Sequence, residues 1–377
     1  MSVFRSRPAL RWLVPSAAAV VVIGGGAAAG TLVASADPAL PDRSAAQLLV
    51  DVQNARVDGL SGTIVQSADL GLPAISGLTG GSGDAGLAGL VAGSNTARVW
   101  YGGEDKLRLA LLGTQGETDV IRNGSDVWLW RSAEKSATHL KVPAEAGHRP
   151  AELPGGVPST PQEAADAALA AIDPTTKVTT TGAAEVAGRD AYELVLSPRD
   201  TASLIGQVRL AIDAEQHIPL RVDVYAKNAT SPAVRVAFQQ ISFGTPDAQQ
   251  FVFNPPPGTK ITDSTAKEAA ENAAENADRK GVERKGEKAP AARPPLSDGP
   301  KTIGTGWTTV VEAKLPKAEG TEDQRLQGML DVLPRSSGSW GSGRIFAGSL
   351  FSVLVTDDGR VFAGAVAPER LYQAAAK

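Results

Sequence analysis

Apolar and polar residues alternate along two neighbouring segments in the middle of the chain. The apolar positions are Val208, Leu210 and Ile212 in the first segment and Leu220, Val222 and Val224 in the second. Charged or small residues fill most of the positions between them. A period of two is that of a β-strand, in which successive side chains point to opposite faces. The pattern predicts two antiparallel strands with one apolar face, which another part of the chain or a ligand must cover.

A second group of predicted strands lies upstream, at residues 97–101, 106–112, 117–122, 126–131 and 137–142. Turn residues separate these segments, and Asn123-Gly124 is a strong signal for a tight hairpin. We therefore predict a five-stranded meander here, and further strands over residues 188–261.

Two strands of the meander carry most of its apolar side chains. In the segment at 106–112 the alternating apolar positions are Leu107, Leu109 and Leu111. The segment at 126–131 is apolar on both sides, with Val127 and Leu129 on one side and Trp128 and Trp130 on the other. One side of that strand must meet the interior of the sheet, and the other must meet a helix or another covering segment.

Two helices are predicted among the strands. The first begins at Ser44-Ala45-Ala46-Gln47, which has the form of a capping box and leads into an apolar stripe. The second covers residues 161–172, which begin with proline, are rich in alanine and end before Asp173-Pro174. Leu169 is one of the few large apolar residues of this second helix.

Four short motifs follow one another within residues 211–258. They are Ala211-Ile212-Asp213, Ile218-Pro219-Leu220-Arg221, Ile241-Ser242-Phe243 and Phe251-Val252-Phe253-Asn254-Pro255-Pro256-Pro257-Gly258. This series resembles the LolA/LppX/RseB superfamily of bacterial envelope proteins, and the resemblance extends more weakly over residues 44–261. It implies an α+β fold in which an unclosed, strongly curved antiparallel half-barrel is covered by helices on its concave apolar face. It also implies a cavity that binds lipid or acyl chains.

The resemblance implies that apolar side chains on the concave side contact the ligand. The candidate cavity residues are Leu107, Leu109, Leu111, Trp128, Trp130, Leu169, Leu210, Ile212, Val222 and Val224. An ordinary core position remains the alternative for each of them, because most alternating apolar residues only fill a core.

Residues 1–36 have the composition of a targeting segment. Three arginines precede a long apolar run that ends in Ala34-Ser35-Ala36, the form of a secretory cleavage site. The run is also long enough to span a bilayer, and the arginines would keep its N-terminus inside. A cleaved signal peptide and a retained N-terminal membrane anchor are both open, and both predict that the rest of the chain is exported.

Composition divides the exported part into three. Residues 37–262 form the predicted half-barrel, which a glycine-rich flap interrupts at 70–94. The flap contains a G-x-G-x-x-G at residues 81–86, but this motif lacks the βαβ frame that nucleotide binding requires. Residues 263–300 are rich in charge, alanine and proline and predict a linker. Residues 301–377 carry strand and helix patterns sufficient for a small α+β domain.

The residue types of catalytic and metal sites do not occur in the required patterns. The chain has no cysteine, and its 3 histidines fall at no ligand spacing. Asp213 and Asp223 lie in or beside predicted hairpins, which favours turn or surface roles over a catalytic pair. A formal net charge of −4 argues against a nucleic-acid partner. The sequence therefore predicts a non-enzymatic protein without metal or cofactor.

Two functions follow from the resemblance. In the first, the protein is a LolA-like carrier that takes a lipid, or the acyl chain of a lipoprotein, into its concave face. In the second, it is an RseB-like sensor of envelope stress whose partner is a membrane-bound signalling protein such as an anti-sigma factor. A second domain on a long linker favours the sensor, whereas no recognisable partner motif supports it.

Export is testable with a reporter. A reporter that is active only outside the cytoplasm should work when fused after Lys377, because residues 1–36 should carry everything behind them across the membrane. Activity of a cytoplasm-only reporter at the same position would contradict the predicted location.

Overall fold

The structure is a computed structural model that describes residues 40–71, 93–113, 116–142, 172–265, 301–314 and 330–377, with Pro161, Ala165, Leu169 and Gly328. The predicted targeting segment at 1–36 lies outside the described residues, as do most of the glycine-rich flap and most of the linker.

Twelve strands form one large sheet. In chain order they are β1 (Leu60–Ala68), β2 (Gly93–Tyr101), β3 (Lys106–Gly113), β4 (Gly116–Asn123), β5 (Asp126–Arg131), β6 (Ser136–Lys141), β7 (Thr176–Val186), β8 (Arg189–Pro198), β9 (Ile205–Asp213), β10 (Pro219–Ala226), β11 (Val234–Phe243) and β12 (Lys260–Thr265). Their spatial order is β12-β6-β5-β4-β3-β2-β1-β11-β10-β9-β8-β7. The strands β12 and β7 are thus the two edges, so the predicted unclosed, curved sheet is confirmed.

Consecutive strands from β2 to β6 pair antiparallel, as the meander prediction requires. The sequence pattern missed β7, whose run of threonines lacks a clear apolar alternation. It was also wrong about residues 251–258, which do not form a strand. A short 3-10 helix at Ala248–Phe251 is followed by an irregular segment, and the chain then enters β12, which pairs parallel with β6. We call residues 248–259 the strap.

The described elements are mostly strands, so the predicted α+β class understates the β content. The first helix, α1 (Ala45–Asn54), begins as the capping box predicts: the Gln47 backbone N–H donates to the Ser44 hydroxyl, and the Gln47 side chain accepts from the Ser44 backbone. Pro161, Ala165 and Leu169 are helical, in agreement with the second predicted helix.

One glycine permits a close approach inside the large sheet. A Cβ at Gly62 in β1 would lie 2.7 Å from the Gln240 carbonyl oxygen and 2.8 Å from the ring of Phe238. The pairing of β1 with β11 also shifts register between Thr63 and Ile64. Such irregularities bend a sheet, and this one lies between β1 and β11, where the two halves of the sheet meet.

Residues 301–377, which we call the C-terminal unit, contain a second sheet. Its strands are β13 (Lys301–Ile303), β14 (Val310–Lys314), β15 (Arg335–Gly338), β16 (Gly341–Ala347), β17 (Ser352–Thr356) and β18 (Arg360–Gly364). The order is β13-β14-β18-β17-β16-β15, and α2 (Pro368–Ala375) contacts β17 and β18. This sheet has its own core, which includes Trp340, Leu354, Phe362 and Leu371.

One buried cluster of the large sheet lies under α1. Leu48 and Val52 of α1 pack on β8, β9 and β10, where Leu210 is the central residue and is 0% exposed. Truncating it would leave a cavity as well as remove apolar contacts.

We therefore expect Leu210→Ala to lower the free energy of unfolding by about 2–5 kcal/mol. Val50→Ala is the control, because Val50 lies on α1 but its side chain is 55% exposed. Denaturant titration measures both changes. Equal, small losses for the two variants would show that α1 does not cover a packed core.

Candidate functional site

Strand register decides which candidate residues share a face. Residues directly opposite each other in an antiparallel pair project to the same side of the sheet. Val222 lies opposite both Leu210 and Val236, and Gln66 lies opposite both Val236 and Asn95. Asn95 is two residues from Ala97, which pairs with Leu111.

The leucines of β3 therefore share one face with the apolar residues of β9 and β10, although the two groups are far apart along the chain. The members of this face among the predicted cavity residues are Leu107, Leu109, Leu111, Leu210, Ile212, Val222 and Val224. We call it the apolar face.

The apolar face is covered unequally along its length. On the β8–β10 side, Leu210, Ile212 and Val222 are fully buried by α1 and by Ala165. These three residues form a filled core, which is the alternative that the sequence left open for them. Leu169 is half-buried and packs against the same cluster.

The β3–β6 side of the apolar face is less covered. Its aliphatic side chains come from four neighbouring strands, are only half-buried, and surround the buried Leu109; they are Leu107, Leu111, Val120, Val127, Leu129 and Leu140. We call these six residues the leucine patch. A half-buried apolar surface of this kind is where a protein of this fold could accept an apolar ligand.

Two arginines lie on the apolar face at the borders of the leucine patch. Arg122 pairs with Leu107 and Val127, and its guanidinium donates to the Gly124 carbonyl at 3.1 Å. Arg131 pairs with Thr118, and Thr118 pairs with Leu111, so Arg131 also lies on the apolar face. Their positive charges favour a ligand that combines an apolar chain with an anionic group.

The two tryptophans of β5 were assigned to the wrong side of the sheet. Trp128 pairs with Ile121 and Trp130 with Asp119, so both project away from the leucine patch. They meet Phe253 of the strap, with ring centroids 5.0 Å and 5.9 Å apart. Their role is to bury the strap on the outer face, which is the face opposite the apolar face.

The predicted cavity residues did not include four members of the leucine patch: Val120, Val127, Leu129 and Leu140. Val127 and Leu129 were recognised as one apolar side of their strand, but the tryptophans on the other side were chosen. A signal for three of them was present, because the loop between β4 and β5 has only two residues, Gly124 and Ser125. A two-residue hairpin loop fixes the register of its strands. Counting outward from that turn places Val127 and Leu129, and not the tryptophans, beside Val120.

The acidic residues singled out in the sequence have structural partners on the outer face. Asp223 is 0% exposed and accepts from the guanidinium of Arg235 at 2.6 Å and 2.9 Å. Asp213 is buried at the β9–β10 turn, where it accepts from the backbone N–H groups of Glu215 and Gln216 and from the guanidinium of Arg189. Each carboxylate neutralises an arginine, and Asp213 also caps a turn, so they do not form a catalytic pair.

His139 of β6 forms side-chain hydrogen bonds to β5 and to β12 on the outer face of the sheet. The ring nitrogens of His139 lie 2.8 Å from Asp126 Oδ1 and 2.9 Å from Asp263 Oδ1, and the ring stacks on Trp128 at 4.2 Å. Burial lowers the pKa of His139, but the hydrogen bonds and charges of Asp263 and Asp126 together raise it above its ordinary value.

Because the pKa of His139 is higher in the folded state, its contribution to stability is complete below the ordinary histidine pKa. It is lost as pH rises through the raised value. We expect amide exchange in Lys260–Thr265, corrected for intrinsic rates, to become faster as the pH rises from the ordinary histidine pKa through the raised value. His139→Gln should abolish that pH dependence. Exchange that stays constant with pH in the unmodified protein would show that His139 does not hold β12 in place.

Among the described residues there is no group of three or more His, Asp or Glu side chains placed to hold a metal ion. In the same part of the chain, no helix has both the length and the hydropathy needed to cross a membrane.

Comparison with known proteins supports the architecture. Residues 91–267 match the family model of the MucB/RseB N-terminal domain. No curated protein sequence matches this chain. These 177 residues, 91 to 267, include every strand of the large sheet except β1.

Solved structures give weaker likenesses. A chain of the Pseudomonas aeruginosa MucA/MucB complex aligns with 16% identity over 88% of this chain and 96% of that one, at a TM-score of 0.41. An uncharacterized conserved protein from Thermus thermophilus aligns with 11% identity over 58% and 99%, at 0.32. The LolA superfamily protein NE2245 from Nitrosomonas europaea aligns with 10% identity over 56% and 99%, at 0.23.

The family match and the unclosed sheet together confirm the resemblance stated from the sequence motifs. Residues 91–267 of this chain are similar to the MucB/RseB N-terminal domain, which supports its resemblance to the LolA/RseB-like superfamily.

Proposed function

We propose that this protein is an exported, non-enzymatic binding protein that holds the acyl chain of an anionic lipid or of a lipoprotein against the leucine patch. The observation that carries the proposal is the unequal cover of the apolar face. Its β8–β10 side is a closed core, whereas six aliphatic side chains on its β3–β6 side are only half-buried.

The chemistry of the leucine patch suits an acyl chain. Its six side chains are aliphatic, so they offer dispersion contacts and no hydrogen bonds, as a methylene chain requires. Each methylene group removed from water contributes about 0.8 kcal/mol, so a chain of ordinary length can bind without polar contacts. Arg122 and Arg131 at the borders then favour a carboxylate or phosphate at the end of the chain.

The outer face supports this site by keeping its strands together. Arg221 pairs with Glu193 at 2.7 Å and Arg235 with Asp223, so ion pairs connect β8, β10 and β11. On the β3–β6 side, the strap and the tryptophans of β5 cover the back of the leucine patch. The patch is therefore backed by packed protein and needs little reorganisation to bind.

A charge within the leucine patch tests the proposal. Leu129→Glu should reduce binding of a fluorescent fatty acid at least about tenfold, because the ligand would have to desolvate the new carboxylate. The variant should still fold, since Leu129 is only half-buried. Fluorescence displacement measures binding and a thermal melt checks folding.

The matched control is Ile261→Glu. It adds the same charge to the same sheet, but Ile261 is 49% exposed and pairs with Ala137, next to the tryptophan side of β5. It should bind the probe like the unmodified protein. Equal binding by both variants, with both folded, would remove the leucine patch as the site.

The second candidate is an RseB-like sensor that regulates a membrane-bound anti-sigma factor. Two observations favour it: the matched family is MucB/RseB, and a second folded unit follows the matched domain. MucB is itself found in complex with MucA(peri). Co-purification of this protein with an anti-sigma factor from detergent-solubilised membranes would support the sensor, and the acyl-binding site could then serve as its input. Recovery of the protein without such a factor would leave the acyl-chain carrier as the remaining candidate function.

A further inference from the structure

The C-terminal unit contacts the large sheet through Trp307. This residue lies in a 3-10 helix at Gly306–Thr308, immediately before β14. Its indole N–H donates to the Thr176 hydroxyl at 2.7 Å, and its ring packs against the cluster that α1 covers. A side chain from the C-terminal unit therefore joins the core of the other sheet.

Two further contacts hold the same arrangement. Ser203 and Val366 form an isolated antiparallel bridge, in which the Leu204 N–H donates to the Ala365 carbonyl at 2.8 Å. Nearby, the Ser349 N–H donates to the Leu70 carbonyl at 3.1 Å.

Leu350 completes this contact with apolar side chains. It is buried in one cluster with Leu70 and Ala233, and Phe351 packs against that cluster. Val224 also packs there, although it belongs to the apolar face and pairs with Val208. Trp307, Leu350 and Phe351 thus cover the end of the apolar face that lies beyond α1.

The arrangement of the cores indicates that this cover can be removed. Each sheet keeps a hydrophobic core of its own without the contact, around Leu210 in one and Phe362 in the other. Within the described residues, the two sheets are joined by the Trp307 indole, one bridge, hydrogen bonds of Ser349 and Thr308, and a small apolar cluster. No strand of either sheet would have to unfold to separate them. Contacts of this size are typical of units that move relative to each other.

We propose that the C-terminal unit is a displaceable cap, and that Trp307, Leu350 and Phe351 occupy a second stretch of acyl-binding surface around Val224. This inference rests on the proposed function and extends it: docking of the cap and occupation of this stretch by an acyl chain exclude each other. A ligand long enough to reach Val224 then frees the C-terminal unit. Binding is thereby converted into a change that a partner protein can detect.

A disulfide lock tests the cap. The chain has no cysteine, so the pair Ser203→Cys and Val366→Cys reacts unambiguously. Opposite residues at such a bridge have Cα atoms about 4.5 Å apart, which a disulfide can join. The oxidised pair should bind a long-chain fluorescent fatty acid at least about tenfold more weakly than the reduced pair, because the cap can no longer leave.

Release of the cap should have the opposite effect. Trp307→Ala should bind the same probe more tightly than the unmodified protein, by up to about tenfold. Thr176→Val removes only the hydrogen bond and should act in the same direction, more weakly, which keeps the test valid if Trp307→Ala folds poorly. Val311→Ala is the control: Val311 lies in β14 of the same unit, is 39% exposed, and should leave binding unchanged.

The outcomes separate the two proposals. If no form of the protein binds the probe, acyl binding itself is wrong. If the reduced and oxidised pairs bind the probe equally well, acyl binding stands and the cap is overturned. Failure of the cysteine pair to oxidise in the ligand-free protein would also overturn the cap, because the docked arrangement would then not be populated.

Discussion

The packing of α1 on β8, β9 and β10 is the interaction on which the rest of this structure depends. The capping box at Ser44 starts the helix so that Leu48 and Val52 meet Leu210, and the fully buried residues of that sheet end gather around this contact. Apolar burial of this kind is the main source of stability in a domain. At the other end the aliphatic side chains of the leucine patch are only half-buried, and three of them pack against a second buried cluster that contains Leu109.

The two faces of the large sheet have separate roles. The outer face carries buried charges, but each has a partner, as Asp223 has in Arg235, so its strands are joined by ion pairs and by the strap. The apolar face carries the core under α1, the leucine patch, and the stretch that the C-terminal unit covers. One continuous surface is therefore shared by structure, by the proposed ligand and by the proposed cap. This sharing gives a physical route from ligand binding to a change in domain contact.

Much of the fold could be predicted from the sequence where local rules apply. The capping box, the five-strand meander and the alternation in β9 and β10 all follow from short-range pattern and turn chemistry. The strap could not be predicted in this way: Phe251 to Gly258 look like a strand, but their partners Trp128 and Trp130 are more than a hundred residues away. β7 was not predicted because its run of threonines shows no alternation of apolar and polar residues.

The candidate site was predicted in part. The alternation correctly grouped Leu107 with Leu111 and Leu210 with Ile212, and the register places both groups on one face. Alternation cannot tell which end of that face is covered, since cover depends on α1 and on Ala165, which lie elsewhere in the chain. It also cannot choose between the two sides of β5 when both are apolar. Only the hairpin register makes that choice, in favour of Leu129.

If the protein holds acyl chains in the cell, they should remain bound through purification. Mass spectrometry of an organic extract from the purified, exported protein should then find lipids or fatty acids in amounts comparable to the protein, with a preference for anionic species. A charge in the leucine patch should deplete them. An extract without lipid, or with the same lipid content after that change, would contradict acyl-chain binding at the leucine patch.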